Sequence, residues 1–256
     1  MSLVNEGRDL LLAEGLAVGS SNLTFKRVFD RLEARTGVRL TNASVIGRVW
    51  ANQVDFQADV LVTVARDEAR RAEGMEQRSV GLLGTHDMTT PESRSRALRE
   101  VLRVEGNASS AAIDRSANWS LWINVVSMST STVDPGAQAR IKEALEKGYQ
   151  AVTRFWSENF SALAALLGLR LRPHWSIEQF AMAAIAFAEG CAIRELAGDH
   201  IAMMVRPTGP DGADQEWSLY AIGMEALVHQ FFEADPEFTP AAGSAAASDG
   251  GRQVDT

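Results

Sequence analysis

The chain has 256 residues, 46% of them hydrophobic, with 33 acidic against 25 basic side chains and a formal net charge of −8. That is enough apolar material for one large or two smaller cores, and the single cysteine, Cys191, excludes an internal disulfide framework and suits a reducing cytoplasm. No run of about 18 apolar residues suggests a membrane span and no N-terminal stretch has the sections of a signal peptide, so a cytoplasmic, all-α protein is expected, rich in Ala, Leu, Arg and Glu and poor in Pro and Tyr.

In chain order, a first apolar helix runs to Ala13-Glu14-Gly15. Thr24 then caps a second helix, with Phe25, Val28, Phe29 and Leu32 on one stripe, and Gly37 supplies a residue tolerant of the left-handed conformation at its end. A third unit restarts near Thr41 and is expected to bury Val45, Ile46, Val49 and Trp50. Its first turn, Thr41, Asn42, Ala43 and Ser44, carries only small or hydrogen-bonding side chains, a tip that fits the DNA major groove. Phe56 to Leu61 opens a connecting helix that continues to about Glu73.

Charge is uneven along the chain. Residues 1–60 hold seven bases and seven acids, so the whole excess of acid lies beyond them. Within 21–50, Lys26, Arg27, Arg31, Arg35, Arg39 and Arg48 face only Asp30 and Glu33. One locally basic helical module on an acidic protein suits approach to phosphates by a single face.

Further on, breaks fall near Gly74 and Gly81–Pro91, and Pro91 opens a helix through Arg103. Gly106-Asn107-Ala-Ser-Ser reads as a loop or weak helix start, Trp119–Met128 as a short apolar helix, and Asp134-Pro135-Gly136 as a stop and restart. Ala137 to about Leu167 is the longest helical pattern. Arg172 to Trp175 breaks it, Ser176 with Gln179 forms a capping box, and the next helix ends near Leu196. Pro207–Asp214 is turn-rich, Trp217–Glu233 is the last helix, and from Pro236 a disordered tail of Ala, Gly, Ser and Asp is expected.

The order Ala13-Glu14-Gly15, Thr24, Gly37-Val38, a short polar-tipped helix and Phe56-Gln57-Ala58-Asp59-Val60-Leu61 resembles the tetracycline-repressor (TetR) family of bacterial transcriptional regulators. The match is carried by the N-terminal fifty-odd residues. It departs from the pattern in a longer turn and recognition region, Arg39-Leu40 and Gly47 to Asn52, and in Ile46, where the family usually has an aromatic.

The resemblance implies a three-helix helix-turn-helix domain over 1–55, a connector helix over 56–73, and a helical bundle over 74–235 for ligand binding and dimerisation. It also implies a homodimer bound to a palindromic duplex operator. On this reading Thr24, Lys26 and Arg27 anchor phosphates, Thr41, Asn42 and Ser44 face base edges, and Arg39 and Arg48 flank them. The second half holds five of the six tryptophans, and Trp119, Trp122, Met128, Phe155, Trp156, Phe160 and Phe187 are candidates to line a pocket for a largely apolar effector, with core packing as the alternative. Helices 176–196 and 217–233 are apolar on several faces and are the expected dimer seam.

An enzyme is disfavoured. His86, His174, His200 and His229 show no metal-ligand spacing, no Gly-rich phosphate loop is present, and Cys191 lies in an apolar helix without a neighbouring base. No catalytic residue, metal or cofactor is expected. A helical interaction module without DNA binding is the remaining alternative.

Overall fold

A computed structural model describes residues 3–14, 23–41, 48–68, 79, 81–113, 123, 126, 135–198 and 202–240. The protein is mostly helical, with four three-residue strands among the described residues. No helix among them is long and apolar enough to cross a membrane. The chain divides into two compact units, Met1–Arg71 with Arg115–Val152, and Ala72–Asp114 with Thr153–Thr256. The division is discontinuous, unlike the linear 1–55, 56–73 and 74–235 arrangement expected, because the first unit takes back residues beyond 114.

In the first unit, α1 (Leu3–Glu14) packs on α2 (Phe25–Thr36) and α3 (Gln53–Glu68). Their shared core is Leu10, Leu23, Phe25, Val28, Phe29, Trp50, Phe56 and Val60. Phe25 lies between the Phe56 ring at 4.9 Å and the Phe29 ring at 5.7 Å, and Trp50 meets Phe56 edge-on at 5.0 Å. Helix α3 starts before Phe56, at Gln53, because the Asn52 side chain accepts a hydrogen bond from the Asp55 amide (2.9 Å) and caps it.

The second unit is built on α4 (Pro91–Ile113), α6 (Ile177–Leu196) and α7 (Leu219–Phe231), and takes in the later part of α5 (Pro135–Leu167). Helix α7 packs against both α4 and α6. Strand β1 (Leu169–Leu171) pairs antiparallel with β4 (Phe232–Ala234), Leu171 opposite Phe232. Strand β2 (Met204–Arg206) pairs with β3 (Gln215–Trp217), Met204 opposite Trp217. Ser176 and Gln179 form the expected reciprocal capping box at the start of α6.

Three expectations need correction. Helix α4 does not stop at Arg103 but runs through Gly106-Asn107 to Ile113. A Cβ on Gly106 would lie 2.6 Å from that of Ala221, so the glycine is there for close approach of α4 to α7. Asn107 clasps the same junction, accepting from the Ser218 amide (2.8 Å) and donating to the Glu216 carbonyl (3.0 Å). The last helix is shorter than 217–233. Trp217 is a buried strand residue whose Nε1 donates to Thr208 Oγ1 (2.7 Å), Ser218 caps α7, and Phe232 has crossed into β4. The chain also stays packed past Pro236: Phe238 lies under the Arg94 guanidinium, 4.6 Å from its ring centroid. Residues 241–256 lie outside the described residues.

Tyr220, on α7, stacks on Phe187 of α6 at 6.0 Å. Burial, with the Cys191 thiol adding to it, pushes the Tyr220 phenol up to about 12. An unfolded tyrosine ionises near about pH 10. Its contribution is therefore complete below about pH 10 and is lost as pH rises through about 12, roughly 2–3 kcal/mol in all. Tyr220→Phe should lose less stability than the unsubstituted protein between pH 9 and 12. Equal losses in thermal melts at the two pH values would contradict this.

Candidate nucleic-acid interface

Helix α2 is delimited as its sequence predicts. Thr24 Oγ1 accepts from the Arg27 amide (3.3 Å), and Gly37, at φ +72°, closes the helix by donating to the Glu33 carbonyl (2.8 Å). Thr36 reinforces the end, donating to the Leu32 carbonyl and accepting from the Val38 amide. The first-turn amides of Phe25 and Lys26 have no acceptor within the helix, as at any helix start.

From Gly37 to Thr41 the chain has no regular secondary structure and is exposed apart from Leu40, which packs on the core of the unit. On the far side Trp50 is buried and its Nε1 donates to Asp59 Oδ2 (2.7 Å). Arg39, Thr41 and Arg48 are on the surface. Val49 is 64% exposed, not buried as its place in a helical stripe predicted, because residues 48–49 form a turn leading into Trp50. Asn42 and Ser44, expected at the base edges, lie outside the described residues, as do Val45 and Ile46.

The local excess of base is smaller than the sequence count implies. Lys26 Nζ pairs with Asp30 at 2.7 Å, one turn along α2, in an exposed pair that a phosphate can displace. Arg31 and Arg35 both turn back toward Glu6 of α1. Arg39 and Arg48 have no acidic partner among the described residues. The sequence could not supply these pairings across helices, since Glu6 is 25 and 29 positions from its two arginines. Of the expected anchors, Thr24 and Arg27 stand in the first turn of α2 and Arg39, Thr41 and Arg48 beyond its end.

Four of the seven residues expected to line an effector pocket, Phe155, Trp156, Phe160 and Phe187, are among the described residues. Phe155, Trp156 and Phe160 form a run on α5, with Trp156 stacked on Phe160 at 5.2 Å and Phe160 edge-on to Phe180 at 4.9 Å. Phe187 stacks on Tyr220, which packs against the same cluster as Phe160. Trp119, Trp122 and Met128 lie outside the described residues. No group of three or more His, Cys, Asp or Glu side chains that could hold a metal ion occurs among the described residues. Cys191 is buried, and burial holds its thiol above the ordinary range, opposite to what a nucleophile needs.

The second surface of interest is on α6. Its inner face, Phe180, Ala181, Ala184, Cys191 and Ala192, is buried. Met182, Ala186, Gly190 and Ile193 lie along the outer face and are exposed, Met182 by 53% and Ile193 by 51%. No family model, curated protein or solved structure matches the chain.

Proposed function

We propose that this protein binds duplex DNA through its first unit and acts as a transcriptional regulator of TetR-like organisation, two copies joining through the outer face of α6. The observation that carries the reading is the exposure of Arg39 and Thr41, just beyond α2, and of Arg48, just before the buried Trp50, on a protein whose net charge is −8. The first turn of α2 adds amides without an acceptor inside the helix, and the Lys26 and Arg27 side chains, to the same unit. A second copy is required because one such unit rarely holds DNA alone, and two-fold symmetry suits a palindromic site. The apolar stripe on α6 is the surface available for it.

The alternative, a helical interaction module, is favoured by the same α6 stripe and predicts no binding to duplex DNA. Fluorescence anisotropy with mixed-sequence duplex separates the two. Arg39→Ala and Arg48→Ala should each weaken binding to all sequences alike and reduce the slope of log K against log salt by about one. An unchanged slope in both variants would remove these residues from the interface.

A further inference from the structure

We infer that Glu6 is a built-in counter-charge that lowers the affinity of the α2 face for DNA phosphates and so raises sequence selectivity. The inference rests on the DNA-binding reading and extends it to a residue of α1. Glu6 is only 1% exposed, yet its Oε1 meets the Arg35 guanidinium and its Oε2 lies 3.7 Å from Arg31 Nε. Arg31 and Arg35 are one turn apart, and their side chains remain 41% and 43% exposed. Each guanidinium has five N–H donors, more than a shared carboxylate can engage. Both arginines can therefore still meet a phosphate, but they do so with one negative charge fixed beneath them.

With Arg27 they form a stripe at positions 27, 31 and 35 that carries three positive charges. Glu6 reduces this to a net of two. On the same two helices Arg8 pairs with Asp9 and Lys26 with Asp30, and Glu33 is a further acid on α2. A buried charge is screened by salt far less than an exposed one, so the offset persists at physiological ionic strength. Sequence-independent phosphate attraction holds a protein on any duplex, and reducing it widens the margin by which a specific site wins.

The test is the salt dependence of binding to a mixed-sequence duplex by the full chain and by Glu6→Gln. The variant should bind more tightly at low salt, with a slope steeper by about 0.9, which is an additional loss of roughly threefold to fourfold between 50 and 200 mM salt. Its preference for a selected site over random duplex should fall. If circular dichroism shows that Glu6→Gln does not fold, the same increment is read between Arg35→Gln and the double variant Glu6→Gln/Arg35→Gln. A slope equal to or shallower than the parent's in either comparison overturns the inference and leaves the DNA reading standing. Absence of duplex binding by the unsubstituted protein at every salt concentration overturns both.

Discussion

Ala184→Glu should abolish the cooperative fold of the second unit, whereas Ala186→Glu should leave it intact and prevent self-association. The two alanines are two residues apart on α6 and so point to opposite sides of it. Ala184 is buried in the cluster of Phe180, Met224, Val228, Phe231 and Phe232, with no cation among those neighbours to pair with a carboxylate. An unpaired buried charge costs several kcal/mol, a large part of a typical total stability of about 5–15 kcal/mol. Ala186 is exposed beside Met182 and Gly190, where substitution typically shifts stability by no more than about 0.5 kcal/mol. A glutamate there would place like charges opposite each other across a two-fold seam. Thermal melts and sedimentation on both variants check the pair. A folded Ala184→Glu protein would mean that α6 is turned the other way, and an Ala186→Glu protein that associates like its parent would remove this face from the dimer.

Phe180→Ala is expected to destabilise the second unit by about 3–5 kcal/mol. Phe180 is 1% exposed and touches three other rings, Phe160 and Phe232 at 4.9 Å and Phe231 at 5.4 Å, all at steep angles. Its removal leaves a void that α5, α7 and β4 would all have to shift to fill, and each is fixed by other contacts. Phe187→Ala provides the comparison. Phe187 is only partly buried and, among the described residues, its ring stacks on that of Tyr220, so its loss should cost clearly less. Urea denaturation giving equal losses for the two would show that the α5–α6–α7 core is not centred on Phe180.

Helix ends written in local chemistry were legible in the sequence. Thr24 and Gly37 bound α2, Pro135 opens α5, and Ser176 with Gln179 opens α6, because each signal lies within three or four residues of the bond it makes. Features that depend on partners distant in sequence were not. Gly106-Asn107 looks like a break until Ala221 and Ser218 are brought against it. The four strands are three residues long, too short for an alternating pattern, and β3 and β4 take up Trp217 and Phe232, where apolar residues suggest more helix on either side of α7. The exposure of Val49 came from a turn that periodicity could not report. Within the candidate interface, the order of bases along the chain was legible. The pairing of two of them with Glu6 was not, so a count over residues 21–50 overstated the free positive charge.

The central claim is sequence-selective recognition of duplex DNA, and the most direct measurement is repeated capture of random-sequence duplexes by the full-length chain, followed by competition titration of the recovered sequence against a shuffled one. The account predicts recovery of a two-fold-symmetric site whose half-sites are about one helical turn apart, bound at least about 10³-fold more tightly than the shuffled duplex at physiological salt. Recovery of no common sequence, with recovered and shuffled duplexes bound alike, would contradict it.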